Sequence, residues 1–214
     1  DDHDIGSIPP DIFIPIAERH NLIQDVSNLV FRMVVKEARS LSEKFNVFIS
    51  INVSSQDLLS ESFQRKVFQM IDELNIKPGM IMMELTERQS ADLNSLQKVI
   101  SLFNDKGISI AIDDFGTGYS NLNWLSSLQI DEIKIDKSIT DSIDEYSISN
   151  NLLSGLVEIF KDITHKVVFE GVETSTQVNY LTEMFPECGV QGWYYSKPLS
   201  IDKLTKLVED ANLP

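Results

Sequence analysis

The chain has 214 residues, of which 42% are hydrophobic and 24% charged, an ordinary globular composition that excludes a disordered or fibrous protein. Its 18 basic and 33 acidic residues give a formal net charge of −15, which argues against binding of a DNA or RNA polymer or of an anionic membrane surface. The sequence predicts no membrane span, and its single cysteine, Cys188, excludes an internal disulfide.

Short apolar segments rich in β-branched residues alternate with longer amphipathic segments along the chain. In the first long segment, apolar residues such as Val26, Leu29 and Val30 recur three and four positions apart, which is typical of an amphipathic helix. In chain order, the predicted elements are helix 25–44, strand 47–53, helix 63–74, strand 80–85, helix 93–103, strand 108–112, helix 122–128, strand 133–135, helix 148–159, strand 166–169, helix 178–185, strand 190–193 and helix 204–208.

This alternation predicts an α/β fold with a parallel sheet that is buried on both faces. Two architectures fit it, an open doubly wound sheet and a closed (β/α)₈ barrel. No G-x-G-x-x-G follows the first strand and the chain contains no Walker A loop, which removes the commonest nucleotide sites of open sheets. The first predicted helix has no strand before it, yet its apolar face must pack on something, and a barrel that lacks its opening strands accounts for both observations.

Each predicted strand ends in, or is followed by, a charged or amide side chain. These residues are Asn52; Glu84 and then Glu87; Asp113 and Asp114; Lys134 and Asp136; Glu170 and Glu173; and Gln191. Because the carboxyl ends of parallel strands open onto one face, we expect these side chains to converge there. For two of them we consider a simpler reading, in which Lys134 forms a salt bridge with Asp136 at the rim and Glu173 only caps a helix.

Clustered carboxylates raise one another's pKa, so either some of them are protonated or cations lie among them. Oxygen ligands without Cys or His favour Mg²⁺ or Mn²⁺ over Zn²⁺. Adjacent residues such as Asp113 and Asp114 suit a pair of metal ions, which is the arrangement that clamps the oxygens of a phosphoryl displacement. Lys134 at the rim could orient or deprotonate water, or offset phosphate charge. Trp124 and Trp193 are predicted to be packing residues.

Six motifs give the chain a resemblance to bacterial EAL domains, which are cyclic-di-GMP-specific phosphodiesterases. In order, they are NVS at 52–54, ELTE at 84–87, DDFGTGYS at 113–120, KID at 134–136, EGVET at 170–174, and QG at 191–192 with KP at 197–198. The resemblance runs from about residue 8 to the C-terminus. It implies a (β/α)₈ TIM-like barrel that hydrolyses one phosphodiester bond of cyclic di-GMP to linear pGpG with two Mg²⁺ or Mn²⁺ ions.

The resemblance also implies roles for individual residues. The first metal is assigned to Asn52, Glu84 and Asp113, and the second to Asp113, Asp114 and Glu170. The catalytic residues are Lys134, which activates water, together with Glu170 and Glu87, and Glu87 steadies the loop 115–120 that joins metal binding to dimer contacts. The residues assigned to the substrate are Gln191, Asp136 and Pro198.

The chain departs from the family's pattern because it contains no Glu-Ala-Leu, the motif on an early strand whose glutamate is a metal ligand. We therefore expect residues 1–214 to be a single EAL-type barrel domain that is N-terminally incomplete and lacks its first two strands. The family further implies a homodimer, an upstream sensor domain, and a cytoplasmic location within a parent protein anchored in the bacterial inner membrane.

The sequence leaves two other functions open. The first is a non-catalytic cyclic-di-GMP receptor or protein-interaction module derived from the same fold, a reading that the missing motif supports. Retention of the strand-end carboxylates argues against it, because a scaffold gains nothing from buried like charges. The second is Mg²⁺-dependent enolisation with a lysine base, which the loop 116–120 and the lack of a second strand-end lysine disfavour.

Overall fold

Six parallel strands form one sheet in which their spatial order follows their order in the chain. The structure, a computed structural model, describes residues 6, 8–20, 22–42, 45, 47–86, 91–117, 122–143, 148–161 and 166–210. The strands are β1 (Ile49–Val53), β2 (Ile81–Thr86), β3 (Ser109–Phe115), β4 (Glu132–Ile135), β5 (Lys166–Phe169) and β6 (Gly189–Val190). The helices are α1 (Pro10–Arg19), α2 (Ile23–Ser42), α3 (Ser55–Leu59), α4 (Glu61–Leu74), α5 (Leu93–Asp105), α6 (Leu122–Ser127), α7 (Lys137–Thr140), α8 (Ile148–Lys161), α9 (Ser175–Met184) and α10 (Ile201–Asp210).

The strand order distinguishes between the two α/β architectures that the sequence leaves open. In a doubly wound sheet the order reverses at a switch point, whereas the strands of a barrel follow one another around the axis. The strands of this chain run from β1 to β6 without a reversal. The prediction of a TIM-like α/β fold is therefore confirmed, and within the described residues β1 and β6 form the two edges of the sheet.

The helices are amphipathic and pack their apolar sides against the sheet. In α4, Phe63, Val67 and Ile71 recur every four residues and are all buried in the core. The helix ends at Asn75, whose backbone is left-handed with φ 52° and whose N–H closes the last turn. No helix in the described ranges combines the length and the apolar character that crossing a membrane requires.

The alternation of side chains along each strand determines which residues can reach the site. In β4, Ile133 and Ile135 belong to the hydrophobic core between sheet and helices. Since successive side chains point to opposite faces, Glu132 and Lys134 lie on the other face, which is the inside of the barrel. The same alternation in β2 places Glu84 on the inner face.

The last strand is shorter than predicted. The strand β6 is limited to Gly189–Val190, and the chain then turns at Gly192, where an added Cβ would lie 2.1 Å from the carbonyl oxygen of Val172. This turn leaves Trp193 60% exposed, so the prediction that it is a packing residue is wrong, whereas Trp124 is buried as predicted.

Three helices were not predicted: α1, α3 and α7. The two short ones, α3 and α7, each depend on one side-chain cap: the Ser54 hydroxyl accepts a hydrogen bond from the Asp57 N–H at 3.0 Å, and the Asp136 carboxylate accepts one from the Ser138 N–H at 2.8 Å. Segments of five and four residues are too short to show a hydrophobic period.

Candidate functional site

The four consecutive strands β2 to β5 bring charged side chains to one mouth of the sheet. Lys134 Nζ donates hydrogen bonds to Glu84 Oε1 at 2.8 Å and to Glu170 Oε1 at 2.7 Å, and it lies 3.7 Å from Asp113 Oδ1. The four side chains are only 4 to 17% exposed. The structure thus places together four residues that the strand-end pattern expects to converge.

Lys134 is the cation at the centre of this cluster. Burial acts to lower the pKa of Lys134, but the hydrogen bonds to Glu170 and Glu84 raise it above its ordinary value, so the side chain is an ammonium ion. The simpler reading of Lys134 as a rim partner of Asp136 is wrong, because the Asp136 carboxylate faces the start of α7 and accepts the Ser138 N–H. The Lys134 ammonium group therefore offsets part of the negative charge of the carboxylates.

Asp113 is the least compensated carboxylate of the cluster. Burial raises the pKa of Asp113 to about 6, the Lys134 ammonium opposes this rise, and the charges of Glu170 and Glu84 add to it. Its Oδ1 atom is buried and makes no hydrogen bond. An unpaired acceptor in a poorly solvated site is costly, and a cation bound there would compensate it.

A break in the regular geometry of β3 brings the two adjacent aspartates to the same mouth. The pairing register between β3 and β4 shifts between Ile112 and Phe115, and Asp114 has a left-handed backbone with φ 57°. In a regular strand, neighbouring side chains point to opposite faces. The irregularity turns the Asp114 side chain toward the side that Asp113 occupies, as bulges near active sites commonly do.

Three carboxylates are close enough together to share a metal ion. One oxygen each from Asp113, Asp114 and Glu170 lies within 4.8 Å of the other two. The donors are all oxygen, which suits hard divalent cations. Together with the Asp113 Oδ1 atom that accepts no hydrogen bond, this arrangement fits the metal binding that the sequence predicts.

Two other residues assigned to the site, Asn52 and Glu87, are not part of the cluster that the structure describes. Asn52 lies on β1 directly opposite Glu84 in the strand register, so its amide is next to the cluster at the exposed edge of the sheet. Glu87 lies outside the described residues, as do residues 118–120 of the loop to which it is assigned.

A groove of about 570 Å³ adjoins the cluster on the side of β5 and β6. Glu170, Gln191 and Pro198 line it, and the Gln191 N–H donates to Phe169 O at 2.8 Å, which extends the pairing of β5 and β6 by one residue. Of the three predicted substrate residues, Gln191 and Pro198 lie in this groove. Asp136 serves as the N-cap of α7.

The family model described as the EAL domain matches residues 1–198. The chain belongs to the EAL domain family. The resemblance that the six motifs indicate is thus confirmed over residues 1–198.

Relatives of this EAL domain carry names that state an activity. It is 37% identical over 203 residues to a probable cyclic di-GMP phosphodiesterase, PdeB, of Escherichia coli K12, a match that covers 94% of this chain and 38% of that protein. It is 32% identical over 199 residues to the cyclic di-GMP phosphodiesterase PdeR of the same organism, covering 91% of this chain and 30% of that protein. The chain therefore spans well under half the length of these curated relatives.

A solved structure is similar over nearly the whole EAL domain. The structure of PaMucR phosphodiesterase in complex with c-di-GMP superposes with a TM-score of 0.85 at 27% identity, covering 95% of this chain and 83% of that chain. This likeness agrees with the strand order in assigning the barrel-type fold.

Sequence reasoning missed some polar and aromatic residues beside the groove of this EAL domain. Lys137 Nζ donates to Glu173 Oε1 at 2.6 Å, so Glu173 pairs with a lysine, while the cap of α9 is formed by Thr174. Lys197 Nζ lies 5.2 Å from the ring centroid of the exposed Trp193. Their positions in the sequence could have identified them, because all three lie in or next to a motif. Lys137 directly follows the KID motif, Trp193 directly follows QG, and Lys197 is the lysine of KP.

Proposed function

We propose that this EAL domain is a metal-dependent phosphodiesterase that hydrolyses one phosphodiester bond of cyclic di-GMP to linear pGpG. The observation that carries the proposal is the carboxylate cluster around Lys134, in which the Oδ1 atom of Asp113 accepts no hydrogen bond. The names of the relatives and the c-di-GMP complex of a similar structure support the choice of substrate.

Two Mg²⁺ or Mn²⁺ ions are proposed as cofactors. Asn52, Glu84 and Asp113 would hold the first ion, and Asp113, Asp114 and Glu170 the second. When bound, two such ions activate water and stabilise charge on the attacking and leaving oxygens of a phosphoryl displacement.

The chain's own residues would position the reactants and balance charge. Lys134 would donate N–H groups to the attacking water or to a phosphate oxygen, as its ammonium form now does to Glu84 and Glu170. This favours orientation of water by Lys134 over removal of its proton. Glu170 would fix Lys134, and Glu87 is proposed to support the loop after Asp113.

The groove beside the cluster is the proposed place of the substrate. Its volume of about 570 Å³ is of the size that small-molecule sites have. Gln191 and Pro198 would contact the dinucleotide there, and Asp136 would act at the rim through the start of α7.

The direct test is hydrolysis of cyclic di-GMP by the chain with Mg²⁺ or Mn²⁺, followed by chromatography of pGpG. We expect Asp113→Asn and Lys134→Ala to lower the rate by about 100-fold or more. The matched controls Asp105→Asn and Lys106→Ala change exposed residues remote from the cluster and should keep the wild-type rate. Wild-type rates in the Asp113 and Lys134 variants would refute the assigned roles.

A binding experiment, combined with the hydrolysis assay, distinguishes an enzyme from a non-catalytic receptor. Calorimetry with cyclic di-GMP and Ca²⁺ measures binding without turnover. Binding with no pGpG formed in Mg²⁺ or Mn²⁺ would support the non-catalytic receptor instead of the enzyme.

We also propose that two further strands complete the barrel between β6 and β1, in one domain with residues 1–214. An apolar groove of about 590 Å³ beside β1, lined among others by Met33, Phe48 and Leu204, supports this proposal. A longer version of the protein should melt at a higher temperature and cover Phe48, and an unchanged exposure of Phe48 would contradict it.

The oligomeric state, the neighbouring domain and the cellular location are proposed from the family. It comprises a homodimer, an upstream sensor domain, and a cytoplasmic catalytic domain whose parent protein is anchored in the inner membrane. Sedimentation of the chain at several concentrations tests the dimer.

A further inference from the structure

A second groove lies between α2 and α4, on helices that carry none of the residues assigned to the phosphodiester site. Its volume is about 380 Å³. The side chains that matter for its chemistry are Asn28, Arg32 and Lys36 from α2, and Lys66, Met70 and Leu74 from α4.

Three cationic side chains line this groove in a chain whose net charge is −15. Arg32 and Lys36 are four residues apart on one face of α2, a like-charge spacing that destabilises a helix. Within the described ranges, Arg32, Lys36 and Lys66 form no ion pair, whereas the neighbouring Arg65 pairs with Glu61 at 3.4 Å. With Glu73 as the one carboxylate among them, the side chains that line the groove carry three positive charges and one negative charge, a formal net charge of +2.

The one carboxylate that lines the groove is already engaged. Glu73 Oε1 accepts a hydrogen bond from the Gln69 amide at 2.6 Å within α4. The neutral amide does not cancel the charge of Glu73, but among the described residues Glu73 forms no ion pair with the three cations. They remain available to an external anion, and Arg in particular binds phosphate in a bidentate manner.

The groove also offers an acceptor and apolar surface. The side-chain amide of Asn28 donates a hydrogen bond from Nδ2 to Gln24 O at 2.6 Å, but its buried Oδ1 has no hydrogen-bond partner among the described residues. Buried polar atoms are normally satisfied, so this oxygen would accept a donor on a ligand once the Asn28 side chain turns toward the groove that it lines. Met70 and Leu74 are half-buried and supply the apolar surface on which a planar ring can rest.

We propose that the groove between α2 and α4 binds a nucleoside polyphosphate. The phosphates pair with Arg32, Lys36 and Lys66, while the base lies on Met70 and donates an N–H to Asn28 Oδ1. Small-molecule sites combine apolar surface with a few polar groups in this way. The proposal is independent of the proposed phosphodiesterase activity, because it uses no strand-end residue.

The test is calorimetry of the 214-residue chain with GDP, ADP, inorganic pyrophosphate and guanosine, in EDTA and at low salt. We expect GDP or ADP to bind at one site, more tightly than pyrophosphate or guanosine, and to weaken as salt rises. Arg32→Gln and Lys66→Gln should each weaken binding about tenfold, the loss expected for one charged hydrogen bond. Asn28→Ala should weaken nucleotide binding and leave pyrophosphate binding unchanged.

The controls separate this groove from other anion sites. Arg65→Gln, on the same helix as Lys66 but paired with Glu61, should bind like the wild type. Glu170→Gln should also leave affinity unchanged, and a change there would place the nucleotide at the strand ends and overturn the proposal. Equal affinity for pyrophosphate and GDP, absence of binding, or self-association that Lys66→Gln abolishes would each overturn it as well.

Discussion

Replacing Asp113 by Asn should stabilise the metal-free protein. Burial, partly opposed by Lys134 and reinforced by Glu170 and Glu84, raises the pKa of Asp113 from 3.8 to about 6. The native state therefore holds this proton more tightly than the unfolded state, and stability is lost as pH rises through the interval between the two values. Since each tenfold change in proton affinity is worth about 1.4 kcal/mol, a pKa that rises from 3.8 to about 6 corresponds to about 3 kcal/mol at pH 7.

The assay is urea unfolding of both proteins in EDTA between pH 5 and pH 8. The gain from Asp113→Asn should be about 3 kcal/mol at pH 7 and roughly half of that at pH 5, where the native carboxyl is largely protonated. Asp105→Asn controls for the general loss of one negative charge on an acidic chain. Excess Mg²⁺ should stabilise the wild type and reduce the gain, since a bound ligand adds stability by mass action.

Two results would refute this reasoning. If Asp113→Asn is less stable than the wild type in EDTA at pH 7, the ionised carboxylate is not penalised by the fold. If the gain is the same at pH 5 and pH 8, it does not come from the titration of Asp113.

Four further substitutions test other parts of the structure by thermal and urea unfolding. Lys134→Met should destabilise by about 3–5 kcal/mol because it leaves three poorly solvated carboxylates without their ammonium partner, and unchanged stability would contradict that role. Gly116→Ala should cost about 1–3 kcal/mol, since φ is 107° and the new Cβ would lie 2.2 Å from Ile139 Cδ1. Gly155→Ala, which meets nothing within 4 Å in α8, should instead stabilise by about 0.5–1 kcal/mol, and the same sign for both would count against the model of strain. Asp57→Ala should cost about 1–3 kcal/mol, as it strands the hydroxyls that donate to this buried carboxylate, and a loss near zero would show that they find other partners.

Much of the fold could be predicted because its signals are local and repeated. Apolar spacing located seven of the helices and six strands, with ends that differ by a few residues. The parallel arrangement then follows from the alternation of strands and helices, and it requires strand-end residues to share one mouth. This is why Glu84, Lys134 and Glu170 could be grouped from the sequence alone.

The remaining features depend on tertiary geometry that no spacing rule contains. Strand periodicity by itself puts Asp113 and Asp114 on opposite faces, and only the irregular register and the left-handed Asp114 bring them to one side. The exposure of Trp193 likewise follows from the close approach of Gly192 to Val172, which are distant in sequence.

The central position of Lys134 has a consequence for how the domain is assembled. An ammonium supplied by the polypeptide lets the acidic mouth close during folding with no divalent cation at hand. Removal of divalent ions by a chelator should therefore abolish the proposed phosphodiesterase activity without unfolding the domain. Adding the ions back should restore that activity from the native state.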